Sequence, residues 1–454
     1  FRFSIVLLLT KILFPEQFGL IGMASVFIAV ASAASELGIG EALIQKQEDK
    51  TAEKMYSTAF WSGLIWGLTV FVIMSLIIGP FAANFYEEPI LIKIIPYLSI
   101  GILLRPLNLI HIVILTRSMK FKEMAKIYNL SSLIAGIFSL LGAYYLDFGV
   151  WALVTNSVLA VIISVPLFFL TTKWKPNKEW NIQYFKNIFG FGAYSTSTRI
   201  FSTITYNIDN LMIGKILSAS SLGSYTLAFS LTEQLRQVIS SVINKVMYPV
   251  FGKNQKETEK LKNYFLKIIN FNAIVIYPLM TFFLIFAEEI IIGMFGIKWK
   301  EAVVPLQILS VAMMIHLLVN SFTSLLRGLG KPKLEMKIII ALTIFILLPG
   351  LFFGITYFGI KGAAYAILVN KIALASTGLL VLKKHIGLKI SEVVSVLKGA
   401  IVAIALSGFI TLILLNILNI SYIILQGSLF LILYSLIVYQ FEKNLIKSLI
   451  KHIL

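Results

Sequence analysis

An all-α integral membrane protein is the fold this sequence predicts, on three observations. Apolar residues make up 58% of the 454 and charged residues 13%, whereas a soluble domain carries roughly 25% charged residues. Apolar runs of the about 20 residues needed to cross a bilayer as a helix recur along the whole chain. Lys and Arg gather in every second connection between those runs, the alternation that the positive-inside rule produces in a polytopic protein.

The runs mark fourteen spanning helices, at about 1–13, 18–37, 55–83, 94–116, 125–145, 150–172, 188–213, 222–248, 261–287, 303–326, 334–357, 362–382, 394–415 and 422–441. The chain opens at Phe1 inside an apolar run, with no charged n-region and no small-residue cleavage site. This start reads as an incomplete first helix rather than as a signal peptide. Connections after even-numbered helices, with the turns beside them and the C-terminal tail, hold twenty-seven Lys/Arg, and those after odd-numbered helices hold five. Even connections and the C-terminus are therefore expected on the cytoplasmic side of a cytoplasmic membrane. The formal net charge of +18 has the same origin, so it points to topology and not to a nucleic-acid partner. The segments 41–54 and 443–454 read as amphipathic pieces that anchor helix ends at the interface.

An internal repeat runs through the first twelve helices. Lys11-Ile12-Leu13, Gly19 and Ala24 return 204 residues later as Lys215-Ile216-Leu217, Gly223 and Ala228. Leu115-Thr116-Arg117 opens a basic connection, as Leu325-Leu326-Arg327 does, and Phe148-Gly149-Val150 returns as Phe358-Gly359-Ile360. A repeat of six helices makes two parallel lobes, expected at 1–172 and 188–382, with a cytoplasmic linker at 173–187. Two further helices and a basic tail complete the chain at 383–454. Parallel halves meeting at a central cavity are a transporter design.

Seven Lys/Arg fall inside spanning segments: Arg2, Lys11, Arg105, Arg199, Arg236, Lys245 and Lys371. Lys11 and Lys245 sit near enough to helix ends to snorkel to the interface. The mid-helix Arg105, Arg199, Arg236 and Lys371 each cost at least about 2.5 kcal/mol to insert, so each is expected to face a cavity or a buried ionic partner. Ser195, Arg199, Ser202, Tyr206 and Asp209 recur on one face of the seventh helix. Thr226, Ser230, Glu233, Gln237, Ser241 and Asn244 do the same on the eighth. Two such stripes line water or substrate, or form a structural polar seam. The membrane acids are few, Glu36, Asp209 and Glu233, so an anion would balance the excess cations. Phosphate suits arginine, whose guanidinium donates two parallel hydrogen bonds. His316, in mid-helix, is a proton carrier or a satisfied packing residue.

Enzyme readings find little support. There is no P-loop, HExxH, GxSxG or CxxC, cysteine is absent, and the four His are scattered without metal-ligand spacing. No cofactor is implied. Glu87-Glu88 is the nearest match to the acidic external loop of a membrane glycosyltransferase, and a short apolar stretch follows it.

Several motifs together resemble one family. They are Leu9-Thr10-Lys11-Ile12-Leu13-Phe14-Pro15-Glu16-Gln17-Phe18-Gly19, Ser35-Glu36-Leu37-Gly38-Ile39-Gly40-Glu41-Ala42-Leu43-Ile44-Gln45, Phe148-Gly149-Val150-Trp151-Ala152-Leu153-Val154 and Asn207-Ile208-Asp209-Asn210-Leu211-Met212-Ile213-Gly214-Lys215. Leu222-Gly223-Ser224-Tyr225 and Tyr248-Pro249-Val250-Phe251 extend the match over about the first 250 residues. The chain is thereby similar to the polysaccharide (O-antigen and colanic-acid-type) flippases of the multidrug/oligosaccharidyl-lipid/polysaccharide exporter superfamily. Lys11 stands where that family usually has Arg.

The resemblance implies fourteen helices, two six-helix lobes and alternating access in a bacterial or archaeal membrane. It also implies an undecaprenyl-diphosphate-linked oligosaccharide as substrate, coupling to an ion gradient, and saccharide polymerase or assembly proteins as neighbours. On that reading Arg105, Arg199, Arg236 and Lys371 hold the diphosphate, with Ser202, Tyr206 and Gln237 lining the cavity. Asp209 and Glu233 are the candidates for ion coupling. A flippase for a lipid-linked peptidoglycan precursor and a cation-coupled drug exporter are the alternatives within the superfamily.

Overall fold

The computed structural model describes residues 2–36, 38–45, 52–255, 257–418, 423–441 and 443. Among them every regular element is a helix. The first part of the chain forms α1 (Arg2–Ile12), α2 (Pro15–Ser35), α3 (Ile39–Gln45), α4 (Ala52–Ile73), α5 (Gly79–Tyr86), α6 (Leu91–Arg117), α7 (Phe121–Tyr145), α8 (Val150–Thr172), α9 (Ile182–Tyr206) and α10 (Ile208–Ile216). It continues with α11 (Ala219–Lys253), α12 (Thr258–Ile285), α13 (Ala287–Ile290), α14 (Val303–Gly328), α15 (Pro332–Leu342), α16 (Leu348–Ile386), α17 (Ile390–Leu418) and α18 (Ile423–Phe441). Single π-turns, Met74–Ile78 and Thr343–Leu347, join α4 to α5 and α15 to α16 without breaking the rod.

Each expected apolar run has a helix on it, with ends shifted by several residues. Among the described residues nine helical stretches are long and apolar enough to cross a membrane. They leave out α9 and α11, the helices that carry the polar stripes. One of the nine, Pro332–Ile386, is 55 residues long and is bent at Gly359 into two segments.

Two differences from the expected element pattern stand out. The seventh run is not one helix: α9 ends at Tyr206 and α10 starts at Ile208. Between them Asn207 donates both its backbone N–H, at 3.2 Å, and its side-chain amide, at 2.8 Å, to the Thr203 carbonyl. The linker expected over 173–187 is not a free loop either. Asn177 and Asn181 donate their backbone N–H groups to Ser57 and Thr58, and the Trp61 indole donates to the Asn177 carbonyl at 2.8 Å. Trp180 reaches Ser62, also at 2.8 Å, and Lys54 pairs with Glu179. The segment is thus laid along α4, and Asn181 caps α9 by accepting from the N–H groups of Gln183 and Tyr184.

The chain divides into two compact units, Phe1–Gly223 and Ser224–Leu454. The boundary lies within α11, and α9 packs on α2, α3 and α4 of the first unit. In that unit α6 lies between α4 and α8, α7 covers α8, and α1 covers α7. In the second unit α14 lies between α12 and α16, while α17 packs on α12 and α18.

The repeat survives in the backbone as well as in the packing. Gly149, before α8, has φ 53° and ψ −126°, and its repeat mate Gly359 has φ 60° and ψ −143°. That region is essentially closed to residues with a Cβ, so one turn geometry has been kept in both halves by one residue type.

A second repeat pair meets directly inside the first unit. A Cβ placed on Gly19 would lie 1.6 Å from the Ala219 carbonyl oxygen, and one on Gly223 would lie 1.8 Å from the Pro15 carbonyl oxygen. Pro15 and Gly19 stand 204 residues before Ala219 and Gly223. The crossing of α2 with the start of α11 is therefore reciprocal, with bare backbone against bare backbone.

Contacts at the helix ends agree with the expected alternation. At one end of the first unit, Lys54–Glu179 and Asn177–Ser57 join with Arg117, which donates to the Tyr56 hydroxyl at 2.8 Å. All three connections are ones the charge pattern assigns to a single side. At the other end Lys215 pairs with Glu87 at 3.0 Å and lies over the Phe85 ring. In the second unit Gln255 donates to the Gly328 carbonyl at 2.6 Å and Lys262 pairs with Glu392. Arg327 closes both arms of its fork on the buried Glu335.

Candidate functional site

Each unit brings basic and acidic side chains together on its helices. In the first unit the centre is Glu36, the residue that caps the C-terminal end of α2. That end is pinned by Trp66 of α4, whose indole donates to the Ala34 carbonyl at 3.1 Å, and the chain then turns at Gly38 with φ 62°. Arg105 projects from the middle of α6, one residue before a helix-interior proline, Pro106. Proline leaves the carbonyl four residues back without its helical donor, and α4 lies close by. A Cβ on Gly67 would be 3.1 Å from Pro106 Cγ and 3.4 Å from the Ile102 oxygen. Two glycines of α4, Gly63 and Gly67, thus seat the proline and fix the rotation of α6. Arg199 comes from α9, held by the Asn181 cap and by packing on α2.

The three side chains converge. Arg105 Nη2 contacts Glu36 Oε1, and Arg199 Nη1 contacts Glu36 Oε2. Glu36 is 24% exposed, Arg105 48% and Arg199 37%, so none of the three is sealed. Two guanidiniums from two helices thus meet on one carboxylate.

The second unit places Glu233, Arg236 and Gln237 on α11. Arg236 donates through Nε and Nη2 to both oxygens of the buried Glu233, and Gln237 adds a donor to Oε1 at 3.0 Å. Lys371 of α16 and Arg236 lie near enough to His316 of α14 for both charges to act on it. The His316 Nδ1 is buried without a hydrogen-bond partner.

The structure therefore distributes the expected site residues as follows. Arg105 and Arg199 come together on Glu36, while Arg236, Glu233 and Gln237 form a group on one helix, with Lys371 and His316 nearby. Ser202 and Tyr206 are exposed on α9. Asp209 does not continue their stripe, since it lies beyond the Asn207 break, is buried, and accepts from the Asn210 N–H. The side chains of Arg2, Ser195, Ser241, Asn244 and Lys245 lie outside the described residues, as do residues 46–51 and most of the tail. Sequence reasoning counted Glu36 among the membrane acids without giving it a partner. Its place at a helix end, two residues before Gly38, was the signal that it could turn inward.

Residues 8–304 match the family model described as polysaccharide biosynthesis protein. The chain is 28% identical over 306 residues to the teichuronic acid biosynthesis protein TuaB of Bacillus subtilis, covering 67% of this chain and 62% of TuaB. It is 24% identical over 370 residues to the lipopolysaccharide biosynthesis protein WzxC of Escherichia coli, covering 80% of this chain and 73% of WzxC. Its fold is similar to that of the lipid II flippase MurJ in an inward closed conformation, with a TM-score of 0.75 at 14% identity over 98% of both chains.

Proposed function

Because this chain belongs to the polysaccharide biosynthesis protein family, we propose that it is a flippase for an undecaprenyl-diphosphate-linked oligosaccharide. It would carry its substrate from the cytoplasmic to the outer leaflet of a cytoplasmic membrane by alternating access. The observation that carries this reading is the Arg105–Glu36–Arg199 cluster, where two guanidiniums at spanning depth share one carboxylate. Two guanidiniums brought to one point suit an anionic ligand, and a diphosphate offers oxygens spaced for guanidinium forks. Lys371 and Arg236, both in the neighbourhood of His316, supply further cations in the other unit. The exposed Ser202, Tyr206 and Gln237 supply hydrogen-bonding groups suited to a hydrated saccharide.

The chain works as a transporter rather than as an enzyme on this reading. Its C-terminus faces the cytoplasm, and saccharide polymerases or assembly proteins are its functional neighbours. Asp209 and Glu233 are the acids on which ion coupling would depend. An exporter of organic cations would call for an excess of acids in the spanning segments, where this sequence has few, Glu36, Asp209 and Glu233. A lipid-linked peptidoglycan precursor is the second reading, favoured by the fold shared with MurJ. The test is translocation in proteoliposomes of two undecaprenyl-diphosphate carriers, one bearing an oligosaccharide and one a peptidoglycan precursor. Preferential movement of the first supports the proposal, and movement of the second alone favours the alternative. Movement of neither beyond protein-free vesicles rejects both.

A further inference from the structure

We propose that Glu36 is a built-in counter-anion that occupies the diphosphate site while it is empty and that the entering substrate displaces. The inference rests on the flippase reading, since it takes Arg105 and Arg199 as the groups that meet the diphosphate. It starts from a contrast among the Arg–Glu pairs of the described residues. Arg327 meets Glu335 with two hydrogen bonds of 2.8 Å from Nε and Nη2, and Arg236 meets Glu233 through the same two atoms. Both are closed forks, the strongest geometry available to this pair. Glu36 is arranged differently. Its Oε1 takes the Nη2 of Arg105 and its Oε2 takes the Nη1 of Arg199, so one carboxylate is divided between two guanidiniums on two helices.

That division is what a placeholder requires. A carboxylate has two oxygens and a single negative charge, so it can bridge two guanidiniums without closing the fork of both. A diphosphate carries more charge and more oxygens, and can present a separate pair of acceptors to each. The carboxylates differ in exposure as well: Glu335 and Glu233 are sealed at 5% and 6%, whereas Glu36 keeps 24%. A purely structural bridge at this depth would be expected to exclude solvent, because an exposed pair contributes little. An accessible carboxylate held by two cations instead prevents their mutual repulsion in the empty protein and can still yield them. It also gives release a chemical route, since Glu36 competes for the arginines once the substrate has crossed.

Binding measurements on the full-length protein in detergent test this, with farnesyl diphosphate as probe and inorganic pyrophosphate as a second arm to separate headgroup from free anion. Glu36→Gln removes the competitor and should tighten probe binding on the order of tenfold, the gain expected when a mostly occupied site is vacated. Glu36→Asp retains the charge but cannot span both guanidiniums. It should tighten binding less, and it provides a reading if the Gln variant does not fold. Both variants should slow turnover in vesicles despite the tighter binding, which a merely structural acid would not do. If Glu36→Gln and Glu36→Asp bind the probe as wild type does or more weakly, while Arg105→Ala and Arg199→Ala lose affinity, the counter-anion role is wrong and the diphosphate site stands. If the two Arg→Ala variants keep wild-type affinity, the diphosphate site falls and this inference falls with it.

Discussion

The crossing of α2 with the start of α11 allows a stability prediction with its magnitude fixed by geometry. A Cβ on Gly19 would sit 1.6 Å from the Ala219 oxygen, and ordinary contact begins at 3.4 Å. The two backbones would therefore have to separate by about 1.8 Å, and no side chain can rotate to relieve them. Forcing atoms into a packed contact costs about 1–3 kcal/mol, and rigid backbone on both sides puts Gly19→Ala at the upper end. Replacing glycine by alanine within a helix returns about 1 kcal/mol, so the net loss is about 2 kcal/mol. Gly223→Ala needs about 1.6 Å of separation by the same reasoning. The gap opened for the first Cβ admits the second. The double variant should then be no less stable than Gly19→Ala alone, a non-additivity of about 3 kcal/mol. Gly252→Ala, also within α11 but with nothing within 4 Å of its Cβ, is the clash-free control and should keep the helix gain of up to about 1 kcal/mol. Thermal unfolding of the detergent-solubilised protein would rank Gly252→Ala at or above wild type, and both above Gly19→Ala and the double variant. An unchanged midpoint for Gly19→Ala, or losses that simply add, would refute the reciprocal contact.

Three further outcomes follow from the same structure. Gly149→Ala and Gly359→Ala should each lower stability by about 1–3 kcal/mol, because both residues hold a glycine-only backbone conformation; equal tolerance at both positions in a thermal melt would show that the turn can relax. In this cysteine-free chain, Asp147→Cys should react with an impermeant thiol reagent added outside intact cells and Lys178→Cys should not. The opposite pattern would invert the orientation drawn from the loop charges. Vesicle transport driven by a proton or sodium gradient should lose its dependence on that gradient when Asp209→Asn and Glu233→Gln are combined, and retained coupling would place the carrier elsewhere.

Much of this architecture was legible because the bilayer imposes a length on each helix and a charge rule on each connection. Apolar runs locate the helices, and Phe148-Gly149-Val150 with Phe358-Gly359-Ile360 marks the repeat, whose common glycine geometry only the backbone shows. The break at Asn207 was not read, since hydrophobic and polar periodicity passes through it and the local hydrogen bond to Thr203 leaves no periodic trace. The docking of 173–181 on α4 was missed for a related reason: a basic, Trp-containing segment looks like a solvated loop until Ser57, Thr58 and Ser62 are found beneath it. At the site, mid-helix arginines stand out by their cost, so Arg105 and Arg199 could be named from sequence. Their common partner could not. The separations from Glu36 to Arg105 and Arg199 follow from how α2, α6 and α9 pack, and no spacing rule carries that information.

The central claim is that Arg105 and Arg199 meet the diphosphate of a lipid-linked saccharide, and one measurement addresses it most directly. Flipping of an undecaprenyl-diphosphate-linked oligosaccharide would be followed in proteoliposomes and normalised to folded protein for wild type, Arg199→Ala and Arg199→Lys. The account predicts normal folding for both variants, with transport largely lost in Arg199→Ala and partly retained in Arg199→Lys, which keeps the charge without the planar fork. Arg199→Ala protein that folds normally and flips its substrate at the wild-type rate would contradict it.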